Sequence, residues 1–207
     1  MALQLPHSQF FHIPHTGGLW VRKAIHRSGI YTNELCQVDS QFFFDNPKSF
    51  LIKRGTIIHI TPYEINKFDN KRFTIVRHPL NWLKSYFNFK HRYNWHPERH
   101  EIDKCESDSY EEFIKLYLKI CPGYYSKMVS RYDRVDIVGR TENMAPDLVD
   151  ILKRCGEKFD EKKILETPPY NTTKRVVETP ELPIELKEKI LKAEEYVIKR
   201  YYIDGLI

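Results

Sequence analysis

The chain has 207 residues, of which 41% are hydrophobic and 29% are charged. This composition is sufficient for one globular domain with a core, and disorder is not the default expectation for it. The formal net charge of +5 suits a nucleotide, an acidic polymer or a nucleic acid as partner, but the sequence carries no DNA- or RNA-binding motif. We therefore expect a single domain over residues 1–207 that does not bind nucleic acid.

The cysteines and the N-terminal sequence bear on the cellular compartment. Cys36, Cys105, Cys121 and Cys155 form no C-x-x-C pair, which indicates neither a zinc ribbon nor a disulfide framework. No basic segment followed by an apolar run opens the chain, and no stretch approaches the roughly 18 apolar residues of a membrane span. These patterns predict a reduced, cytoplasmic protein without a membrane span.

Short apolar, β-branched or aromatic runs predict strands, and they lie at residues 9–13, 56–60, 72–76 and 135–139. Helical periodicity follows at residues 21–28, 110–118 and 148–155, and again in one long helix after Pro183 that carries Leu186, Ile190, Val197 and Tyr201. Ser109 and Glu112 form a capping box before the second of these helices. Strands that alternate with helices predict an α/β fold with a mainly parallel sheet, whose ligands bind at the carboxyl ends of the strands.

The first predicted strand runs into Pro14, His15, Thr16, Gly17 and Gly18, and a helical pattern begins at Leu19. A glycine loop between a strand and a helix favours an anion, because the backbone N–H groups at the helix start are open to it. An ordinary turn with a glycine hinge is the alternative. The loop is not a Walker A motif, since G-x-x-x-x-G-K-[ST] is absent, and this disfavours a nucleotide kinase.

The strand at residues 72–76 leads directly into Arg77, and Ser85 lies on the helix that follows. An arginine at a strand's carboxyl end can bind a phosphate with two hydrogen bonds, and a serine hydroxyl can add a third. The alternative is an arginine paired with a carboxylate of a neighbouring loop. Together with the glycine loop, the two residues indicate one ligand that carries two separate anionic groups.

These two segments resemble motifs of the sulfotransferases that use 3′-phosphoadenosine 5′-phosphosulfate (PAPS). Residues 11–18 are similar to the family's 5′-phosphosulfate loop, I-P-K-T-G-G-T, and residues 75–86 are similar to its 3′-phosphate motif, R-[DH]-P with a serine eight residues after the arginine. Weaker similarity extends through residues 138–143 and 171–175. The likeness is greatest to the carbohydrate, Golgi-type branch and its bacterial relatives.

The resemblance implies a P-loop-NTPase-like, three-layer fold with helices on both sides of the sheet. It also implies PAPS as the donor, the 3′,5′-bisphosphate PAP as the product, and no metal. The acceptor would be a hydroxyl or an amine, with a carbohydrate as the candidate class. The residues assigned to the donor by this likeness are Pro14, His15, Thr16, Gly17, Gly18, Leu19, Arg77 and Ser85.

Two departures from the family pattern bear on catalysis. His15 occupies the position of a lysine that contacts the phosphosulfate, and Leu19 and Trp20 replace hydroxyl residues. An imidazole can still donate a hydrogen bond to the leaving oxygen, but its charge near neutral pH depends on its surroundings. Binding of PAPS or PAP without transfer of sulfate is therefore the alternative function. A P-loop-like nucleotide kinase is a further, less favoured alternative.

The predicted general base is His59, at the end of the strand at residues 56–60. Residues 59–63 resemble the H-V-[ST]-F segment of the uronyl 2-O-sulfotransferases, in which the histidine is the base. A histidine packed within the sheet is the alternative reading of His59. Glu64 and His12 are the alternative candidates for the general base.

The segment of residues 89–100 alternates aromatic and basic side chains. We expect a solvated loop here, within an acceptor-side segment at residues 90–108 that could bind an anionic sugar or a peptide. A metal site of His96, His100 and Cys105 is the alternative, which Pro97 disfavours by breaking helical spacing. Lys174 and Arg175 could close over the nucleotide, or they could be an exposed basic pair.

Overall fold

The computed structural model describes residues 2–34, 60–64, 70–170 and 177–202. The chain divides into two compact units, one formed by Met1–Val76 and Arg131–Tyr170 and the other by Arg77–Ser130 and Asn171–Ile207. In chain order the elements are β1 (Ala2–Gln4), β2 (Ser8–Phe11), α1 (Gly18–Arg27), β3 (Asn33–Glu34), β4 (Lys71–Val76), α2 (Pro79–Tyr93), α3 (Tyr110–Ile120), α4 (Tyr124–Ser130), β5 (Ile137–Arg140), α5 (Met144–Cys155), α6 (Glu161–Leu165), α7 (Ile184–Ala193) and α8 (Glu195–Tyr201).

The described strands of the first unit form one sheet with the order β3-β1-β2-β4-β5. The pairs β2–β4 and β4–β5 are parallel, whereas β1 is antiparallel to both β2 and β3. The α/β class predicted from the sequence is confirmed. The sheet is more mixed than expected, because only three residues separate β1 from β2 and a parallel connection needs a crossover of about a dozen or more.

The core of the first unit lies between the sheet and α1, α5 and α6. Phe10 of β2 and Phe73 of β4 are paired in register, with ring centroids 5.3 Å apart. They contact a cluster of helix side chains that includes Val21, Ile25, Leu148, Ile151, Leu152 and Ile164. Phe11, Thr74 and Val76, on the opposite face of these strands, are buried as well. Burial on both faces is typical of the central strands of a layered α/β sheet.

The second unit is built of helices around an aromatic core. Trp82 of α2 stacks on Tyr125 of α4, with ring centroids 4.6 Å apart and planes inclined by 17°. Phe87 packs on Phe113 of α3 at a centroid distance of 5.3 Å. Large buried rings of this kind supply most of the apolar area in a core.

Most predicted elements are present, with shifted ends. The strands predicted at residues 9–13, 72–76 and 135–139 are β2, β4 and β5, while the strand predicted at 56–60 lies outside the described residues except for Ile60. The capping box is confirmed in part: the Ser109 hydroxyl accepts a hydrogen bond from the Glu112 N–H at 3.5 Å at the start of α3. Gly156 ends α5 in the left-handed conformation, as glycine at this position commonly does.

The long helix predicted after Pro183 is wrong in its continuity, because the chain breaks between α7 and α8 at Glu194. Glu194 is completely buried. Its carboxylate accepts hydrogen bonds from the Tyr117 hydroxyl and, at 2.6 Å, from the Ser126 N–H. A buried carboxylate must find donors, and no helical period reveals that these two donors meet the chain at the break.

The expectation of a solvated loop at residues 89–100 is also wrong for its first part. Phe89–Tyr93 complete α2, and Lys90 is buried. The chain then leaves the helix through Asn94 and forms a 3-10 turn at Glu101–Cys105.

Of the helices in the described ranges, none has the length and apolar character needed to cross a membrane.

Candidate functional site

The loop between β2 and α1 contains the five residues predicted to bind an anion. Its backbone is left-handed at His15, with φ 62°, and at Gly17, with φ 84°. A positive φ is uncommon for a residue with a Cβ, although histidine is among those that adopt it more often. The loop therefore turns sharply between strand and helix, in the manner of turns that direct successive N–H groups toward an anion.

Two hydroxyl groups fix the backbone of this loop. The buried Thr16 hydroxyl donates to the Ile13 carbonyl at 2.8 Å. The Thr141 hydroxyl lies 2.9 Å from the Thr16 carbonyl and 3.0 Å from the Val76 carbonyl, so its single hydrogen is shared between them. Thr141 thus connects the loop to the carboxyl end of β4. The sequence interpretation missed this role, although the position of Thr141 directly after β5 was a signal for it.

Gly18 is constrained by the side chain of His12 rather than by its own backbone angle. A Cβ at Gly18 would lie 1.9 Å from the His12 Cδ2 atom and 2.4 Å from its Cγ. No side chain can be accommodated at that distance without moving the imidazole. His12 itself is buried, and its carbonyl accepts a hydrogen bond from the Tyr132 hydroxyl at 3.3 Å. His12 therefore shapes the start of the helix.

Helix α1 begins immediately after the loop, with Gly17 as its N-cap. In the described chain no side chain caps this end, and the first turn holds no acidic residue. The N–H groups of Trp20 and Val21 both donate to the Gly17 carbonyl, at 2.9 and 3.2 Å. The first N–H groups of a helix have no partner within it, and the helix dipole makes this end favourable for an anion. Leu19, in the first turn, is exposed.

The second predicted anion group, Arg77 and Ser85, lies in the helical unit. Arg77 directly follows the last residue of β4 and precedes His78, the N-cap of α2, and Pro79 at the first helical position. Ser85 lies in the second turn of that helix, and both Arg77 and Ser85 are half-buried. The backbone of Arg77 is held by Tyr125, whose hydroxyl oxygen lies 2.9 Å from the Arg77 nitrogen and 2.9 Å from its carbonyl oxygen.

The turn after β5 is fixed by one aspartate. Asp147 of α5 accepts a hydrogen bond from the Arg140 N–H at 2.6 Å through one carboxylate oxygen, and from the Asn143 side-chain amide at 2.7 Å through the other. This geometry determines the path of residues 140–143 and hence the position of Thr141. The segment is the one with weaker resemblance at residues 138–143.

Several predicted residues lie where the structure makes no statement. The predicted base His59 is outside the described residues, as are Lys174 and Arg175. Glu64 ends a 3-10 turn at Pro62–Glu64, and its side chain is not among those described. The roles assigned to these residues stay predictions.

The segment after α2 is organised by the carboxylate of Asp103. Asp103 accepts hydrogen bonds from the Lys90 ammonium at 2.5 Å, from the His96 N–H at 2.9 Å, and from the Tyr86 hydroxyl. Cys105 is buried with its sulfur 3.7 Å from that of Cys121. Among residues 2–34, 60–64, 70–170 and 177–202, no group of three or more potential ligands could hold a metal ion.

No protein-family model, no curated protein and no solved structure matches the chain.

Proposed function

We propose that this chain is a PAPS-dependent sulfotransferase with a P-loop-like fold. The observation that carries the proposal is the turn between β2 and α1, in which His15 and Gly17 are left-handed and α1 begins without a side-chain cap. A loop of this form suits a sulfate or phosphate group, because it offers backbone N–H groups and the positive end of a helix dipole. The resemblance of Pro14–Gly18 to the phosphosulfate loop gives the anion its chemical identity.

A second observation supports a donor with a further phosphate. β2 and β4 are parallel neighbours, so the chain leaves both strands at the same edge of the sheet, and Arg77 is the first residue after β4. Ligands of open α/β sheets bind at this edge. On the resemblance of the two motifs alone, we assign the 5′-phosphosulfate to residues 14–19 and the 3′-phosphate to Arg77 and Ser85. A nucleotide kinase is disfavoured because the loop has no lysine at the helix start.

In the proposed reaction, the bond between the sulfur and the bridging oxygen of PAPS breaks, and a bond forms between that sulfur and the acceptor oxygen or nitrogen. The acceptor's proton passes to a base, for which His59 is the candidate. The leaving phosphate of PAP carries the developing negative charge. Hydrogen-bond donors from the loop, including the His15 imidazole, would stabilise that charge, which is the main requirement for transfer of this kind.

The second candidate function is binding of PAPS or PAP without transfer. It is favoured by one feature, the imidazole of His15 in place of the ammonium group found in the family motif. An imidazole is a weaker and pH-dependent source of positive charge. In this case nucleotide affinity would be ordinary, and sulfate transfer would be absent.

Binding is tested by calorimetric and thermal titration with PAP. A ligand at about 100 times its Kd stabilises the fold by about 2.7 kcal/mol, and Arg77→Ala should abolish this shift. Arg154→Ala is the matched control, since it removes an exposed arginine that pairs with Asp150 on the surface of α5. If the wild-type protein is folded and PAP produces no shift, the donor assignment is wrong.

Transfer is tested by following PAP formation from PAPS with a panel of sugars, phenols and amines. If the protein is a sulfotransferase, PAP should form only when an acceptor is present. His59→Ala should then reduce the rate of PAP formation by about 10²- to 10⁴-fold, the usual contribution of a general base. Tight PAP binding without turnover, together with activity gained in His15→Lys, would instead establish the binding protein.

A further inference from the structure

The hydroxyl of Tyr125 contacts both backbone hydrogen-bonding groups of Arg77. It accepts from the Arg77 N–H at 2.9 Å and donates to the Arg77 carbonyl at 2.9 Å. A single hydroxyl can do both because it has one hydrogen and two lone pairs. Arg77 lies between β4 and the N-cap of α2, and these two hydrogen bonds restrain its backbone there. The tyrosine supplies that restraint from 48 residues further along the chain.

The ring of Tyr125 is itself held in place. It is completely buried, and it stacks on Trp82 with a centroid distance of 4.6 Å and an interplanar angle of 17°. Trp82 is also completely buried and belongs to α2, the helix that begins two residues after Arg77. The stacking of Tyr125 on Trp82 therefore holds the ring whose hydroxyl binds the Arg77 backbone against the helix that follows Arg77.

The helix that carries Tyr125 is fixed at its first turn. The next residue, Ser126, donates its N–H to the Glu194 carboxylate at 2.6 Å, and the other carboxylate oxygen accepts from the Tyr117 hydroxyl. All of these side chains are buried. Rotation of α4, which would withdraw the Tyr125 hydroxyl, would break hydrogen bonds inside the core.

We propose that Tyr125 is the positioning residue for Arg77, and that its hydroxyl orients this arginine to bind the 3′-phosphate of the nucleotide. The inference rests on the proposed function and extends it by one residue. Tyr125 acts through Arg77 and touches no ligand in this role. Once the backbone of Arg77 is fixed, the direction of its Cα–Cβ bond is fixed, and less conformational freedom is lost when the guanidinium binds.

A purely structural tyrosine would give a different result from a positioning one. Loss of a structural hydrogen bond lowers stability and affects all ligands of the folded protein alike. Loss of a positioning hydrogen bond lowers the affinity only for ligands that have the 3′-phosphate. The discriminating quantity is the ratio of the affinities for PAP and for adenosine 5′-monophosphate (AMP), which lacks that phosphate.

The experiment measures Kd for PAP and for AMP by calorimetry in the full chain and in Tyr125→Phe, which keeps the stacked ring. We expect PAP affinity to fall by about three- to tenfold, the range for one ordinary hydrogen bond, with AMP affinity unchanged. Because Tyr86 lies within the proposed 3′-phosphate motif and stacks on Trp82, the control used for the ratio is Tyr110→Phe instead. This variant removes another buried hydroxyl of the same unit and should leave the PAP-to-AMP ratio as in the wild type.

A second variant pair tests whether the effect passes through the arginine. In an Arg77→Ala background, Tyr125→Phe should cause no further loss of PAP affinity, because coupled residues are not additive. The role of Tyr125 would be overturned if Tyr125→Phe left the ratio of PAP to AMP affinity unchanged. It would also be overturned if the losses of Tyr125→Phe and Arg77→Ala were fully additive. Failure of the wild-type protein to prefer PAP over AMP would overturn the proposed 3′-phosphate site itself, which distinguishes the two failures.

Discussion

The ammonium group of Lys90 lies 2.5 Å from the Asp103 carboxylate, and neither side chain is more than 7% exposed. The pair connects α2 to the 3-10 turn at Glu101–Cys105. The Asp103 carboxylate also accepts hydrogen bonds from the Tyr86 hydroxyl and the His96 N–H. Its charge is thus compensated by one cation and two further donors, which is what an ion requires when it is removed from water.

Breaking this pair should destabilise the protein strongly. Lys90→Met leaves the Asp103 carboxylate buried without its cation, and we expect a loss of about 3 to 5 kcal/mol in the free energy of unfolding. Adding Asp103→Asn should recover part of that loss, because the uncompensated charge is then absent. Urea unfolding of the single and double variants measures both effects. Additive losses in the double variant would contradict the direct pairing of the two charges.

The contact between His12 and Gly18 predicts a second coupled pair. In Gly18→Ala the new methyl carbon would lie 1.9 Å from the His12 Cδ2 atom, which is a severe clash. We expect the free energy of unfolding to fall by about 1 to 3 kcal/mol, as for an overpacked site. PAP binding should also be lost, since the loop must shift. His12→Ala should relieve the clash, so that the double variant is more stable than the sum of the two single losses predicts.

Gly29→Ala is the matched control for this substitution. Gly29 also has a positive φ, of 85°, but a Cβ there would have no atom within 4 Å. The change should cost about 1 kcal/mol through backbone strain alone, and PAP affinity should be unaffected. Equal loss of PAP binding in Gly18→Ala and Gly29→Ala would show that the His12 contact does not shape the loop.

The buried tyrosines predict sensitivity to alkaline pH. Burial raises the pKa of Tyr86, Tyr110 and Tyr117 above the usual value for a phenol. Below about pH 10 both the folded and the unfolded chain keep these protons, so the groups have no effect on stability there. Above about pH 10 only the unfolded chain loses them, and stability falls by about 1.4 kcal/mol per pH unit for each tyrosine.

Tyr110→Phe should therefore flatten the fall in stability above about pH 10 by about 1.4 kcal/mol per pH unit. Tyr93→Phe is the control, because that ring is 51% exposed. Urea unfolding in a series of alkaline buffers gives both slopes. The explanation is wrong if Tyr110→Phe and Tyr93→Phe change the slope equally.

Cys105 and Cys121 should form a disulfide when an oxidant is supplied. Their sulfurs are 3.7 Å apart, and a hydrogen bond from the Cys121 thiol lowers the pKa of Cys105, which favours the nucleophilic thiolate. With diamide, two S–H bonds break, one S–S bond forms, and the azo bond takes up two protons and two electrons. Peptide mapping without reductant should identify the crosslink, and Cys155→Ser should not affect it.

The oxidised protein should also be more stable. A crosslink that closes a loop of this length stabilises the fold by about 3 kcal/mol in the chain-entropy account. Thermal unfolding before and after diamide, with Cys121→Ser as the uncrosslinked comparison, measures the difference. Recovery of Cys105 and Cys121 as free thiols from the folded, diamide-treated protein would refute the prediction.

The elements that the sequence predicts correctly are those determined by residues close together in the chain. The apolar run of β4, the serine cap of α3 and the glycine that ends α5 are all readable from neighbouring residues. β1 was missed because its three residues are too few for a period, and it depends on pairing with β2. The loop at Pro14–Gly18 was placed correctly between strand and helix, since glycines there have a direct conformational meaning.

The parts that could not be predicted depend on contacts distant in sequence. Nothing near Lys90 indicates that Asp103 pairs with it, and nothing near Tyr125 indicates that its hydroxyl binds the Arg77 backbone. The carboxylate of Glu194, at the break between α7 and α8, is bound by donors on two other helices. In each case tertiary hydrogen bonding overrides the local pattern, and a single sequence contains no record of which partners meet.

The position of Glu194 also bears on how the chain folds during synthesis. The hydrogen bonds from Tyr117 and Ser126 to this carboxylate span 77 and 68 residues, and the intervening residues 131–170 belong to the other unit. The helical unit therefore cannot complete its core until the last helices have left the ribosome. Until α7 and α8 have been made, the Tyr117 hydroxyl and the Ser126 N–H lack the Glu194 carboxylate, so the helical unit completes its core only through contacts of long sequence separation, which form slowly.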